Sequence, residues 1–355
     1  MSERYQPAAL KKFAFALLRK AGLSAAPARA AAEILVAGDL LGKTTHGLNL
    51  LPLYLKELEA GKMPRSGEPK ILRQTATTLL LDAQYVSGPY VMRRAIAWAV
   101  PRAKKHGVAT VSIRQCHHIA GLVSFLPPLT QRGLMAILMC SDPANRTVAA
   151  PGGVDGVCSP NPIAVGIPTR SDPILIDTTT STTSNGGAAR LRNEGRKFSS
   201  PILQTARGEP TADPQVLTAN PPGTIYAIGG PDLAHKGFGF VTLVEALTNG
   251  LTGQGRAQRP DRWGATVFLQ IIDPKFFGGR AAFTRETQFF AQASRQSKPK
   301  PGGAPVRLPG DHALAVQRVQ LARGVALHPG ILPALRPWAE KFGVQLPPAV
   351  QPNRR

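Results

Sequence analysis

Between residues 77 and 140 the chain reads TTLLLD at 77–82, VMRRAIAWAVPRAKK at 91–105, VATVSIR at 108–114 and LMAILMC at 134–140. The first, third and fourth runs are short, apolar and rich in residues that suit a pleated sheet, whereas the second reads as a helix. Strand-like runs separated by helical ones predict a body of the α/β (α+β) class.

Upstream of that body, Leu10, Phe13, Ala14, Leu17 and Leu18 fall at i, i+3, i+4, i+7 and i+8, which predicts an amphipathic helix ending near Gly22. Ser24 is placed to cap a second helix, with Pro27 in its first turn and an apolar pattern through Ile34, Leu35 and Leu40 to Gly42. A third helix is expected from Leu50 to Leu58. Downstream, Pro and Gly crowd residues 143–173 and 210–230, where loops should build a site over the sheet. Phe238 to Leu251 reads as a core helix, ATVFLQII at 265–272 as a buried strand and Thr284 to Ala293 as another helix. QSKPKPGGAPVRLPG at 296–310 has the composition of a linker. Two helices, Ala313 to Arg323 and Leu332 to Phe342, are expected before a tail, 346–355, that should fray. There is no internal repeat.

Hydrophobic residues make up 43% of the 355 residues against 18% charged, which excludes a disordered chain. The first 23 residues mix Lys and Arg into their apolar stretch, unlike a signal peptide, and no window is apolar enough to span a bilayer. The expected location is the cytoplasm, with no membrane partner. Cys116, Cys140 and Cys158 lack CxxC spacing, which argues against a disulfide framework and a zinc site, and no metal is expected. Lys and Arg number 43 against 21 Asp and Glu, a net charge of +22 that attracts polyanions. Basic residues are spread along the whole chain, and no basic run alternates with aromatics as single-strand binders require. A basic enzyme surface with anionic ligands is therefore preferred to a nucleic-acid-binding protein.

No Gly-x-Gly-x-x-Gly follows a strand, and neither a Walker loop nor Gly-x-Ser-x-Gly is present, which removes the Rossmann, P-loop and serine-hydrolase readings. What remains are polar groups at the ends of apolar elements: Thr45-His46-Gly47, His117-His118, Ser159 to Pro162 with Asn161, Asp177 to Ser181, and His235-Lys236-Gly237. His118 follows the strand VATVSIR, where a loop presents its side chain to a cleft. A neutral imidazole there could take a hydroxyl proton and return it, and a histidine satisfied by backbone carbonyls would fit the same position equally well. His235-Lys236-Gly237 precedes a helix, so its N–H groups and the Lys charge could receive phosphate oxygens, or simply begin a solvated helix. Asp177 could hold a ribose or a histidine, or cap a helix.

Taken in order, THGLNLLPLYLKELEAGKM, CHHIAGLVSFL, SPNPIAVGIPT, ILIDTTTST, RLRNEG, GEPTADP and GGPDLAHKGFGFVTLVEALTNGLTG resemble the signature blocks of the malate/L-lactate dehydrogenase-like family, over nearly the whole chain. The resemblance implies a non-Rossmann fold, NAD or NADP as cofactor, a 2-oxo or 2-hydroxy acid as small-molecule substrate, and a homodimer. It implies a single catalytic unit over 5–345. Residues 5–75 and 311–345 would form a helical subdomain, and 76–310 the body that binds cofactor and substrate. The family's proton-transferring histidine falls on His118. Its Ser/Thr-His-Gly block, facing substrate and nicotinamide, falls on Thr45, His46 and Gly47. Cofactor contacts fall on Ser141, Asp177, Thr178, Thr179, His235, Lys236 and Gly237, and substrate contacts on His46, Asn161 and the position of Leu50.

Leu50 is the chief departure, because many relatives carry there an Arg that pairs with the substrate carboxylate. The loop Ile119-Ala120-Gly121 is a second one, since an Arg-bearing version is common in one branch. Losing a bidentate guanidinium disfavours a dicarboxylate and favours a monocarboxylate with an apolar side chain. Lys43, Arg114 or the backbone at Gly152-Gly153 are then candidates to hold its carboxylate. Arg190, Arg192 and Arg196 offer cations to a 2'-phosphate. The resemblance also admits a catalytically impaired relative that keeps the fold.

Overall fold

The computed structural model describes residues 3–350. Its frame is a seven-stranded sheet: β1 (Lys70–Gln74), β2 (Thr78–Asp82), β3 (Val108–Cys116), β4 (Met135–Ser141), β5 (Ile163–Ile167), β6 (Ile174–Thr178) and β7 (Ala265–Ile272). They lie in the order β1-β2-β3-β7-β4-β5-β6. Only β2 and β3 are parallel neighbours; the helix α4 (Gly88–His106) connects them, and every other neighbouring pair is antiparallel.

β7 is the central strand and is apolar on both faces, because both are covered. Val267, Leu269 and Ile271 join Val91, Met92, Ala95 and Ala99 of α4 in the main core. Phe268 points the other way, with Met139, onto Val244 of α6 (Gly230–Glu245). The alternation follows the two-residue period of a strand.

Helices α1 (Pro7–Lys20), α2 (Ala25–Leu40), α3 (Leu51–Glu59) and, far along the chain, α8 (Ile331–Phe342) share a second core. The five apolar positions expected on one face of α1 are all buried. Ser24 occupies the N-cap of α2, but its side chain makes no capping bond. Arg4 and Tyr5 pair antiparallel here with Ala326 and Val325.

The expectation of a frayed tail needs correcting as far as Val350. Tyr5 bridges Ala349, the Val350 N–H donates to the Arg4 carbonyl at 2.7 Å, and Leu346 packs on the helical core. Residues 351–355 lie outside the described residues. The end of the supposed linker is also docked, since Leu175 N–H donates to the Pro309 carbonyl before α7 (Asp311–Arg323) begins.

A second, five-stranded sheet is built from strands of two or three residues, including Val148–Ala149, Gly156–Cys158 and Thr224–Ile225. It is joined to the end of β6 by a bridge between Ser181 and Ala227. Between them α5 (Asn185–Asn193) starts at Ser184, whose hydroxyl accepts the Gly187 N–H. Among the described residues no helix is long and apolar enough to cross a membrane.

Candidate active site

Strand register collects the polar residues on one rim of the large sheet. Cys116 at the end of β3 lies opposite Ala265 at the start of β7, Thr266 opposite Ser141 at the end of β4, and Ile163 opposite Thr178 at the end of β6. The rim is strained: Gln84, Tyr85, Gln115, Ala120 and Asn161 all hold left-handed backbone, which costs a side-chain-bearing residue energy and clusters at functional sites. Gly88, at the start of α4, is required there. A Cβ on it would sit 2.4 Å from the carbonyl oxygens of both His117 and His118.

His118 is half-buried and held through one nitrogen. The Ala120 N–H points back at its Nδ1 at 3.2 Å, which the left-handed Ala120 makes possible. The buried Tyr54 hydroxyl, from α3, lies 3.1 Å from Nδ1 and donates to the His118 carbonyl at 3.0 Å. The imidazole stacks on Trp263 with centroids 4.6 Å apart and faces His46 at 6.1 Å. Burial, reinforced by His46 and His117, depresses its pKa well below the usual histidine value, so it is neutral at pH 7. His117 is fully buried and turned away, with Nε2 3.6 Å from a Glu57 oxygen, beyond hydrogen-bond length. Burial lowers its pKa as well, against the pull of Glu57.

Beside His118, Thr45 Oγ1 lies 2.9 Å from His46 Nδ1. Burial lowers the His46 pKa; Asp177 opposes that shift, and Lys43 and Arg190 add to it. Asp177 caps no helix: it pairs with Lys43 at 3.1 Å. Behind this loop is Asp39 of α2, 1% exposed, with one oxygen accepting the Leu48 N–H at 2.7 Å and the other without a partner. Burial pushes its carboxyl up to about 7.

Ser141 and Asn161 are brought to the same rim, but both are fully buried and their side chains are spent on Glu245. Ser141 donates to Glu245 Oε1 at 3.0 Å and Asn161 at 2.8 Å; Asn249 takes Oε2, and Arg256 closes the cluster at 2.9 Å. Arg256 also donates to the carbonyls of Pro143 and Asn145. Burial works to raise the Glu245 pKa, and the Arg256 pairing more than offsets it, leaving the carboxyl below its ordinary value.

The remaining sites lie further out. Thr178 is exposed at the end of β6, and the Thr179 hydroxyl is spent on the Ser181 carbonyl. His235 and Lys236 are exposed, and Gly237 packs against Ile228, where a Cβ would strike its carbonyl oxygen at 2.1 Å. These three stand inside α6 rather than before it. Leu233 breaks the helical backbone there, so residues 234–237 form the first turn of the continuous part. His235 borders a cleft of about 360 Å³ with Gly152, Gly153, Tyr226 and Asp232. Among the described residues the side-chain hydrogen bonds at His118 come from Tyr54 and Ala120, and none comes from this region. Leu50 is 7% exposed and packs in the helical core, contributing no polar group to the rim.

The sequence reading missed Tyr54, Trp263, Asp39, Glu245 and Arg256. Glu245 carried a signal, as the lone acid in the apolar run FVTLVEALTNGL. Among the described residues no group of His, Cys, Asp and Glu is arranged to hold a metal.

The chain matches the malate/L-lactate dehydrogenase family over residues 5–336 and belongs to that family. It is 26% identical to hydroxycarboxylate dehydrogenase B of Escherichia coli O157:H7, covering 96% of this chain and 95% of that one. Similarity to the malate/(S)-sulfolactate dehydrogenase of Methanothermus fervidus is 25% over 93% and 95% of the two chains. Among solved structures, malate dehydrogenase from Entamoeba histolytica superposes with a TM-score of 0.90 at 23% identity, over 98% of this chain and 100% of that one. The delta1-piperideine-2-carboxylate reductase of Pseudomonas syringae gives 0.83 at 25% identity, over 95% and 99%.

Proposed function

We propose that this protein is an oxidoreductase that moves a hydride between NAD or NADP and C2 of a 2-hydroxy or 2-oxo acid, with His118 carrying the proton of the substrate oxygen. The observation that carries the reading is the one-sided hold on His118. Tyr54 gives its proton to the His118 carbonyl, so its oxygen accepts from Nδ1–H in preference to the Ala120 N–H, and Nε2 is the bare nitrogen left for a substrate. When the hydroxyl is oxidised, its proton passes to Nε2 as C2 gives up its hydrogen with the bonding pair; reduction runs the same path backwards. A neutral resting imidazole suits acceptance of that proton.

Thr45 and His46 orient the substrate oxygen, and Asp177 holds Lys43 at the edge of the same space. The donor set suits a nicotinamide dinucleotide: an exposed lysine and a restarted helix turn at His235-Lys236-Gly237 for phosphate, and Thr178, Thr179 and Asp177 for ribose. When bound, that cofactor accepts or supplies the hydride. Ser141 and Asn161, tied to Glu245, meet a ligand through their backbone. The absence of a cation at Leu50 points to a monocarboxylate with an apolar side chain. Exposed Leu233, Phe240, Leu243 and Leu251 along α6 and its extension support a homodimer.

Reduction of phenylpyruvate, branched 2-oxo acids and oxaloacetate, followed by loss of NADH or NADPH absorbance, tests the reading. His118→Asn should lower turnover about 100-fold or more with little change in cofactor affinity. Turnover near the wild-type level would remove His118 from its role. A preference for oxaloacetate would remove the monocarboxylate assignment.

A further inference from the structure

Several cations of the rim are already committed. Lys43 pairs with Asp177, Arg114 with Asp82 and Arg256 with Glu245. Arg190, on α5, pairs with no carboxylate among the described residues. Its Nη1 donates to Thr44 Oγ1 at 2.8 Å, while Nη2 is shielded from solvent and donates to nothing described. Glu194, one turn further along, is taken by Arg196 at 3.1 Å and lies 3.5 Å from His328.

The helix is set against the loop that carries His46. A Cβ added at Gly186 would lie 3.7 Å from the Thr45 Cβ, and the Arg190 charge is felt at both His46 and Asp39, adding to the lowering of the first and opposing the burial that raises the second. A shielded guanidinium N–H without an acceptor is costly, and the oxygens of an anion would recover that cost through charge-assisted bonds. In a 2-oxo acid the carboxylate is bonded directly to C2, so its partner must stand close to the groups that handle the C2 oxygen. Arg190 meets that requirement and Leu50 does not.

We propose that Arg190 receives the substrate's C1 carboxylate, from α5, in place of a cation at position 50; this rests on the hydride-transfer reading above. The test compares phenylpyruvate with its primary amide, which keeps the reacting carbonyl and lacks the charge, at saturating NADH or NADPH. Arg190→Gln should raise KM for the acid about 30- to 100-fold, the equivalent of a lost charge-assisted pair, and leave kcat/KM for the amide within about threefold. Cofactor Kd should not move, Arg190→Lys should be intermediate, and millimolar guanidinium should restore acid turnover to Arg190→Ala. Equal losses for acid and amide would reduce Arg190 to a support for the Thr44 loop and overturn the proposal. So would an unchanged KM for the acid, or a weakened cofactor Kd. Oxamate binding by calorimetry in the presence of the reduced cofactor separates the two readings. Arg190-dependent oxamate binding in a protein that reduces no 2-oxo acid would sink hydride transfer and keep the carboxylate site. Oxamate that fails to bind, or binds Arg190→Gln undiminished, overturns the site whatever the turnover.

Discussion

Asp39→Asn should gain stability relative to the wild type as the pH rises from 5 to 8. The carboxyl is 1% exposed, one oxygen has no partner, and a Cβ on Gly47 would lie 2.2 Å from it, so nothing can move in to solvate the charge. Burial raises its pKa from 3.8 to about 7. A folded-state pKa above the unfolded one contributes stability at pH values below 3.8 and loses it as pH rises to about 7. At 1.36 kcal/mol per unit, the wild type carries a penalty of about 2 kcal/mol at pH 5 and about 4 kcal/mol at pH 8. Asparagine cannot ionise, and its carbonyl can still accept the Leu48 N–H. Whatever fixed cost the amide brings, the urea midpoint of the variant relative to wild type should rise between pH 5 and pH 8 by the equivalent of about 2 to 3 kcal/mol. A difference that is the same at both pH values would show that Asp39 titrates as an ordinary carboxylate and would refute the reasoning.

Three further outcomes are expected. The acid limb of kcat/KM for hydroxy-acid oxidation should lie below pH 6.5, because the His118 pKa in the free protein is depressed; a limb above 7 would contradict the burial argument. Glu245→Gln should cost about 2 to 3 kcal/mol by leaving Arg256 unpaired, and Glu245→Met with Arg256→Met should recover much of it; thermal unfolding reads both. Tyr54→Phe should lower kcat for oxidation about tenfold or more with little change in KM, since Nδ1 then keeps only the Ala120 N–H and the ring's proton moves to Nε2. An unchanged kcat would mean that Tyr54 serves only the His118 carbonyl.

What could be read in advance followed from local periodicity. ATVFLQII is a strand over its whole length because both faces of β7 are covered, and α1 declares its buried face at every turn. The strands of the second sheet are too short to show any period. The Glu245 cluster joins residues about a hundred positions apart, so that Ser141 and Asn161 could be placed on the rim from sequence while the ion pair that holds them could not. Tyr54 reads as one more apolar position of α3, alongside Leu51, Leu55 and Leu58, and only the tertiary fold turns its hydroxyl onto His118. The ordered end of the chain escaped notice for the same reason. Its partner strand is Arg4–Tyr5, at the opposite terminus, and nothing in the composition of residues 346–350 announces the pairing.

The electrostatics of the rim give these parts a common logic. Three histidines, His46, His117 and His118, are kept neutral by burial, and the cations Lys43 and Arg190 push His46 further in that direction. The nearby acids do little to oppose this. Asp177 is taken by Lys43, Glu57 faces His117, and Asp39 is itself half-protonated near pH 7. The rim is thus short of negative charge, which an anion arriving beside His118 would supply. A carboxylate held at Arg190 would raise the His118 pKa from its depressed starting point, so that proton uptake for reduction accompanies substrate binding and does not precede it. Under the proposed reaction, oxidation would run in the opposite sense, because the departing 2-oxo acid would take its charge with it and leave the imidazolium unsupported, and the proton would be released to solvent. A neutral carbonyl compound would bring no such charge and would leave His118 unprotonated, so that on the proposed reading the substrate's own carboxylate would be part of the acid–base apparatus.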